Sequence, residues 1–169
     1  MPTYIALLRA VNVGGTGKLP MAELKALCAA EGFTKIKTYI ASGNIVFGAR
    51  QSASKVKALL EKRLQIYAGK PVGVMIRTPG EMAAVLKSNP FPTSAPNWTV
   101  AIFLNDPPPA NALDDIRGRK DEALCLGKRE IYVAYGAGMG RSKLKIPAAE
   151  KGTARNINTI EKLIELAAV

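Results

Sequence analysis

The sequence has 169 residues, with 24 Lys and Arg, 13 Asp and Glu and no histidine, a length that suits one compact domain or two small ones sharing a core. The absence of histidine excludes catalytic triads and proton shuttles built on imidazole. The two cysteines, Cys28 and Cys125, have no second thiol nearby, which excludes zinc and redox motifs. We expect both cysteines to be buried, and we expect neither a metal ion nor a cofactor.

The positive charge is concentrated in the first half of the chain. Residues 1–78 contain 12 Lys and Arg against three Glu, a net charge of +9, whereas residues 79–169 have a net charge of +2. Such a field attracts anions, whether phosphates, nucleic acid or an acidic protein partner, although a basic surface without a ligand explains it as well. The first nine residues carry no basic leader, and their apolar run is too short for a membrane helix. We therefore expect a cytoplasmic protein with no membrane contact.

The first 78 residues alternate between apolar runs typical of strands and amphipathic runs typical of helices. Ser42-Gly43-Asn44 separates two β-rich runs and predicts a tight hairpin. The resulting order, β-α-β-β-α-β, is the plan of a ferredoxin-like subdomain. In chain order, we predict a strand at 3–11, a helix between Pro20 and Gly32, strands at 35–41 and 45–47, a helix at 52–67 and a strand at 72–77.

The second half shows a similar alternation, although its last strand cannot be located from the pattern. The predicted fold is therefore α+β, with two ferredoxin-like (βαββαβ) subdomains at 1–78 and 79–169, the second divergent and ending in C-terminal helices. In chain order, we predict a helix at 81–86, a strand at 98–104, a short helix at 110–118, strands at 123–126 and 131–135, and helices at 142–150 and 156–168.

The strand and helix that open the chain are joined by a glycine-rich loop, residues 12–18, that begins at Asn12 and ends at Lys18. Free backbone N–H groups and a lysine in such a turn can hold a phosphate. It is not a Walker loop, because Leu19 follows Lys18 where Ser or Thr would bind magnesium, and a tight turn alone would require the same glycines. Arg9, near the end of the apolar strand, needs a carboxylate, backbone carbonyls or a bound anion as its partner.

Three further polar segments offer ligand contacts, each with a structural alternative. Ser42 and Asn44 lie at the predicted hairpin tip, where turn geometry alone favours them. Residues 136–145 combine three glycines with three cations, two of which are Arg141 and Lys143. This segment contains a literal Ser-x-x-Lys but no companion signature of serine acyl-enzymes.

The last polar segment, residues 153–159, surrounds the first turn predicted for the final helix, where backbone N–H groups favour negative charge. Thr153 or Asn156 could serve there as a plain N-cap. An N-cap would not explain Arg155 in the same turn.

These segments resemble, in this order, the bacterial family known as domain of unknown function 1697 (DUF1697). The matching stretches are 6–15 with Met21 and Leu24, 38–47, 140–144 and 153–159. The resemblance implies duplicated ferredoxin-like subdomains and supplies no established catalytic residues. Thr16-Gly17 stands before Lys18 in place of the family's usual polar residues, which weakens the phosphate role of that loop.

The leading hypothesis is a site for a phosphate-bearing or other anionic ligand, such as a nucleotide or nucleic acid. RNA binding on the sheet lacks support, because Phe47 is the only aromatic residue of the predicted third strand. Two alternatives remain: an enzyme whose base is Lys143, Lys145 or Glu150, and an interaction module for an acidic protein. We predict that these residues converge on one cleft: Arg9, Asn12, Lys18, Ser42, Asn44, Arg141, Lys143, Arg155 and Asn156.

Overall fold

The computed structural model describes residues 1–12, 18–136 and 139–168, and within them it excludes the side chain of Arg141. The described chain is a mixed α/β protein with two four-stranded antiparallel sheets. It divides into two compact units: Met1–Met82 with the end of the last helix from Leu163 onward, and Ala83–Lys162. No helix among the described residues is long and apolar enough to cross a membrane. The elements are β1 (Thr3–Leu8), α1 (Met21–Ala30), β2 (Thr34–Tyr39), β3 (Asn44–Gly48), α2 (Ala53–Ala68), β4 (Val74–Arg77), α3 (Pro79–Lys87), β5 (Thr99–Phe103), β6 (Ala123–Leu126), β7 (Glu130–Ala134), β8 (Thr153–Asn156) and α4 (Ile157–Ala167).

The sheet of the first unit has the strand order β2-β3-β1-β4, with every neighbouring pair antiparallel. Alternate residues of a strand point to opposite faces, and Tyr4, Ala6 and Leu8 of β1 face the core formed with α1 and α2. In this core the rings of Phe33 and Phe47 stack with their centroids 4.6 Å apart. The core therefore lies between one face of the sheet and the two helices.

The boundaries of the first two helices follow from local signals in the sequence. The Oγ of Ser52 accepts a hydrogen bond from the backbone N–H of Lys55 at 3.3 Å and so caps the start of α2. Gly69, with φ 73°, ends that helix in the left-handed conformation. Pro20 precedes α1, and Gly32, with φ 81°, follows it.

The sheet of the second unit has the order β6-β7-β5-β8, again antiparallel throughout. The order repeats that of the first sheet with β5 in the position of β1. One face buries Val100, Ile102, Ile131 and Val133 against partly buried side chains of the connecting segments. The two sheets therefore share one antiparallel strand arrangement.

Two helices predicted for the second unit are absent. Residues 110–115 form turns, and the only helical residues within 142–150 are the 3₁₀ turn Pro147–Ala149. Arg117 and Lys145 exchange backbone hydrogen bonds of 2.9 and 2.8 Å in an isolated antiparallel bridge, which uses N–H and C=O groups that a helix would need. Gly118 allows this approach, because a Cβ there would lie 2.1 Å from the carbonyl oxygen of Lys143.

Three smaller expectations are also corrected. The first strand ends at Leu8 rather than at residue 11, because Ala10 and Asn12 adopt φ angles of 54° and 55° that no strand accommodates. Residues 153–156 form β8, paired with β5, instead of the first turn of the last helix. Cys28 is buried, but Cys125 on β6 at the edge of its sheet is only half-buried.

Candidate functional site

A cavity of about 710 Å³ lies in the first unit, where the segment after β1 meets the end of α2 and the approach to β4. Its size is in the range of small-molecule pockets. The described wall comes from two parts of the chain that are far apart in sequence, residues 9–11 with 18–19, and residues 64–73. The described lining residues are Arg9, Ala10, Val11, Lys18, Leu19, Leu64, Tyr67, Ala68, Lys70, Pro71, Val72 and Gly73.

The turn after β1 carries Arg9 to the cavity wall. The N–H of Leu8 donates to the carbonyl oxygen of Gly43, and the N–H of Arg9 donates to that of Gly73, both at 2.9 Å. Ala10 then takes a left-handed φ of 54°, a conformation unfavourable for residues other than glycine and asparagine. Backbone of this kind persists only where its surroundings impose it.

Asn12 fixes the far side of this turn. Its Nδ2 donates to the carbonyl oxygens of Leu19 and Ala41, both at 2.8 Å, and its Oδ1 accepts from the N–H of Leu19 at 2.6 Å. Asparagine tolerates the φ of 55° at this position. Asn12, which the sequence predicts as a ligand contact, therefore uses its side-chain amide for hydrogen bonds to the protein backbone.

The cavity combines positive charge with an apolar floor. Arg9 is half-buried, whereas Lys18 and Lys70 are exposed. The lining described by the structure contains no carboxylate. Within residues 1–78, Glu31 is ion-paired with Arg63 and Glu61 with Lys57. The floor consists of buried aliphatic side chains: Val11, Leu19, Leu64 and Val72.

Ser42 and Asn44 stabilise the β2–β3 hairpin. The Nδ2 of Asn44 donates to the Oγ of Ser42 and to the carbonyl oxygen of Tyr39, both at 2.9 Å, and Asn44 is fully buried. Between them, Gly43 has a φ of 89°, and a Cβ there would lie 2.7 Å from Val11 and 2.8 Å from Leu8. These contacts give both residues a structural role in the hairpin.

The predicted site residues of the second half lie in the other unit. Arg155 on β8 is buried and donates through Nη1 to the Oγ1 of Thr153 at 2.6 Å and to the carbonyl oxygen of Ala154 at 2.9 Å. Burial lowers the pKa of Arg155 to about 10, so its charge persists at neutral pH. The Oδ1 of Asn156 accepts from the N–H of Thr159 at 2.9 Å and caps α4.

The structure describes the glycine-rich segment at residues 136–145 only in part. Lys143 and Lys145 are exposed, and the side chain of Arg141 lies outside the described part of the chain. Residues 13–17 and 137–138, which include most of the first predicted loop, also lie outside it. Among the residues that the structure does describe, no cluster of three His, Cys, Asp or Glu could hold a metal ion.

Ser142 of the Ser-x-x-Lys sequence contacts a carboxylate. Its Oγ donates to Oε2 of the buried Glu122, and the N–H of Lys120 donates to Oε1 of the same carboxylate at 2.6 Å. These hydrogen bonds, with that from Ser142 the strongest, lower the pKa of Glu122. A carboxylate with a lowered pKa is a weak base, which argues against activation of Ser142 as a nucleophile.

The sequence of this chain matches a protein family, and its fold is similar to that of a solved structure. The family model described as "Protein of unknown function (DUF1697)" matches residues 1–132. The chain belongs to this DUF1697 family. The fold of the conserved bacterial protein SP0830 from Streptococcus pneumoniae is similar, with a TM-score of 0.80, 24% identity and 98% of each chain covered. No curated protein matches the sequence.

In this DUF1697 protein, the first two stretches that carry the resemblance, 6–15 and 38–47, contact each other. The hydrogen bonds Leu8–Gly43 and Asn12–Ala41 join them, as does the close approach of Gly43 to Val11. Several residues of these stretches therefore hold the turn after β1 in place, and that turn presents Arg9 to the cavity.

Among the lining residues that sequence reasoning missed, Tyr67 and Lys70 are the two with an aromatic or a charged side chain. Tyr67 follows Leu64 by three residues and therefore lies on the face of α2 that buries Val56, Leu60 and Leu64. The spacing indicates a core residue, whereas Tyr67 is 43% exposed. Lys70, just beyond α2, has no local feature that separates it from other surface lysines.

Proposed function

We propose that this DUF1697 protein binds a phosphate-bearing anion in the cavity of its first unit. The observation that carries the proposal is the presence of Arg9, Lys18 and Lys70 in one wall whose described residues include no carboxylate. The net charge of +9 over residues 1–78 raises the local concentration of anions around that wall.

The C-terminus of α2 at the cavity opposes the binding of an anion, so its charge has to be compared with that of the three cations. The C-terminus of α2 carries a partial negative charge of roughly half an electron. The N–H of Gly69 bonds the carbonyl oxygen of Gln65 at 2.8 Å and satisfies one end carbonyl of the helix. Three full positive charges outweigh this partial charge, so the net potential in the cavity favours a phosphate group.

We also propose that the protein consists of two ferredoxin-like subdomains, at 1–78 and 79–169, and that the second is divergent. The shared strand orders β2-β3-β1-β4 and β6-β7-β5-β8 support it. We place ligand contacts on Arg9, Lys18 and Lys70, with Asn12, Ser42 and Asn44 positioning the turn. The predicted contribution of Arg141, Lys143, Arg155 and Asn156 to the same site stays a prediction.

Calorimetric titration with inorganic tripolyphosphate tests the proposal. Charge-assisted hydrogen bonds contribute about 1.5–3 kcal/mol, so Arg9→Gln and Lys70→Gln should each weaken binding roughly tenfold or more. Lys62→Gln is the matched control, because Lys62 is an exposed lysine of α2 outside the cavity wall. We expect that variant to bind like the parent protein, within about twofold.

Two results would contradict the proposal. One is the absence of any binding by the unmodified protein at moderate ionic strength. The other is an equal loss of affinity in Lys62→Gln and Lys70→Gln, which would mean that net charge alone attracts the anion. Circular dichroism of each variant establishes that a loss of binding does not result from unfolding.

A further inference from the structure

We infer that the anion bound in this cavity is a nucleotide whose base stacks on the ring of Tyr67. The inference rests on the proposed function and goes beyond it in naming the class of ligand and a residue that recognises it. It is carried by the presence of Tyr67 in the wall that also contains three cations and four buried aliphatic residues.

Tyr67 is placed where a ligand can reach its ring. It lies in the last turn of α2, lines the cavity and is 43% exposed. Among the residues that the structure describes, its ring packs against no other aromatic ring and its hydroxyl makes no hydrogen bond. An aromatic ring left open beside cations is the arrangement that proteins use to stack a base next to its phosphates.

The cavity is larger and more apolar than a bare phosphate requires. A phosphate ion needs donors and charge, whereas this cavity has a volume of about 710 Å³ and its wall also includes the aliphatic residues Val11, Leu19, Leu64 and Val72. Sites for small organic ligands combine such surface with a few polar groups that fix the orientation. The ligand that matches this wall therefore has a flat apolar part as well as an anionic part.

The same wall disfavours sugar phosphates. Their hydroxyl groups are bound by side-chain amides, carboxylates and hydroxyls, and the described lining contains no Asn, Gln, Asp, Glu, Ser or Thr. In this proposal Arg9, Lys18 and Lys70 contact the phosphates, and the described wall has no Asn or Gln to pair with adenine. We therefore expect ATP and GTP to bind with affinities within about threefold of each other, because stacking tolerates any base.

The test compares ATP with tripolyphosphate, both without divalent metal, in EDTA at one ionic strength. The two ligands carry similar charge, so the difference in affinity reports the nucleoside. Because stacking on an aromatic side chain strengthens binding, we expect ATP to bind about tenfold more tightly. Tyr67→Leu should reduce ATP affinity to that of tripolyphosphate and leave tripolyphosphate affinity unchanged, whereas Tyr67→Trp should retain the difference.

Ile66→Ala is the control for this experiment. Ile66 is 75% exposed, adjacent to Tyr67 and outside the cavity wall, so the variant should bind both ligands like the parent protein. Equal affinity of the parent protein for ATP and tripolyphosphate overturns this inference and leaves the proposed function standing. The same holds if Tyr67→Leu weakens both ligands alike. If neither ligand binds, the proposed function fails and this inference fails with it.

Discussion

The side chain of Asn12 connects three positions of the first unit that are distant in sequence. Its two amide hydrogens are donated to carbonyl oxygens, those of Leu19 and Ala41, and its oxygen accepts from the N–H of Leu19. The amide nitrogen therefore faces hydrogen-bond acceptors, and the amide oxygen faces a hydrogen-bond donor. A side chain of the same shape with different hydrogen-bonding groups isolates the contribution of the two donors.

Asn12→Asp makes that change. A carboxylate at this position would face the carbonyl oxygens of Leu19 and Ala41 without hydrogens to donate, so we expect a loss of about 1–3 kcal/mol in the free energy of unfolding. Urea denaturation measures it. Asn97→Asp, at an exposed asparagine, is the control and should change stability by less than about 0.5 kcal/mol. Equal effects of the two substitutions would show that the hydrogen bonds of Asn12 contribute nothing to stability.

On the scale of elements, the β2–β3 hairpin supports the end of β1 through one glycine. Gly43 combines a φ of 89° with an approach to Val11 and Leu8 that leaves no space for a Cβ. Gly32 has a similar φ of 81° but has no heavy atom within 4 Å of such a Cβ. Comparing substitutions at Gly32 and Gly43 therefore separates the energetic cost of the backbone conformation from the cost of a steric clash with Leu8 and Val11.

Alanine at the two positions tests this separation. Gly32→Ala should lower the free energy of unfolding by roughly 1 kcal/mol, the cost of the left-handed conformation. Gly43→Ala should cost about 1–3 kcal/mol more, because Leu8 and Val11 must move to admit the methyl group. Thermal denaturation of both variants measures the difference, and equal losses of stability would refute a tight contact between hairpin and strand.

The two helices of the first unit were located correctly because each has local signals at its ends. Pro20 and Gly32 bound α1, and Ser52 caps α2. The predicted helix at 110–118 fails because Arg117 is paired with Lys145, a contact between residues 28 positions apart. Strand β8 was missed because its four residues alternate without an apolar run and are recognisable only beside β5.

The residues of the candidate site also differ in whether the sequence indicates them. Arg9 and Lys18, which the sequence proposes because each stands at a boundary between predicted elements, line the cavity. Tyr67 and Lys70 were missed because only tertiary packing brings the end of α2 beside residues 9–11. The pattern of α2 places Tyr67 on the apolar face, and it does not indicate that the side chain is partly exposed at a cavity.

At the scale of the whole molecule, both units hold a buried weak acid in its neutral form, Cys28 in the first and Tyr132 in the second. Burial, with a smaller effect from Glu31, raises the pKa of the Cys28 thiol from 9.0 to about 12. Burial also raises the pKa of the Tyr132 hydroxyl from 10.0 to about 12, and this hydroxyl donates to the carbonyl oxygen of Val85 at 2.8 Å. Both groups keep their protons in the folded state at a pH where the unfolded chain releases them.

This difference predicts a loss of stability at alkaline pH. As the pH rises above about 9, the unfolded state loses protons that the folded state retains, and each such proton lowers the free energy of unfolding by about 1.4 kcal/mol per pH unit. Cys28→Ala and Tyr132→Phe each remove one of these protons, so their stability should fall less steeply than that of the parent protein. Urea denaturation between pH 8 and 10.5 under reducing conditions measures the slopes.

Between pH 6 and 8 neither group titrates in either state, and all three proteins should give parallel curves. Identical slopes above pH 9 in the parent protein and in Cys28→Ala would mean that the thiol of Cys28 ionises as readily in the folded protein as in the unfolded chain.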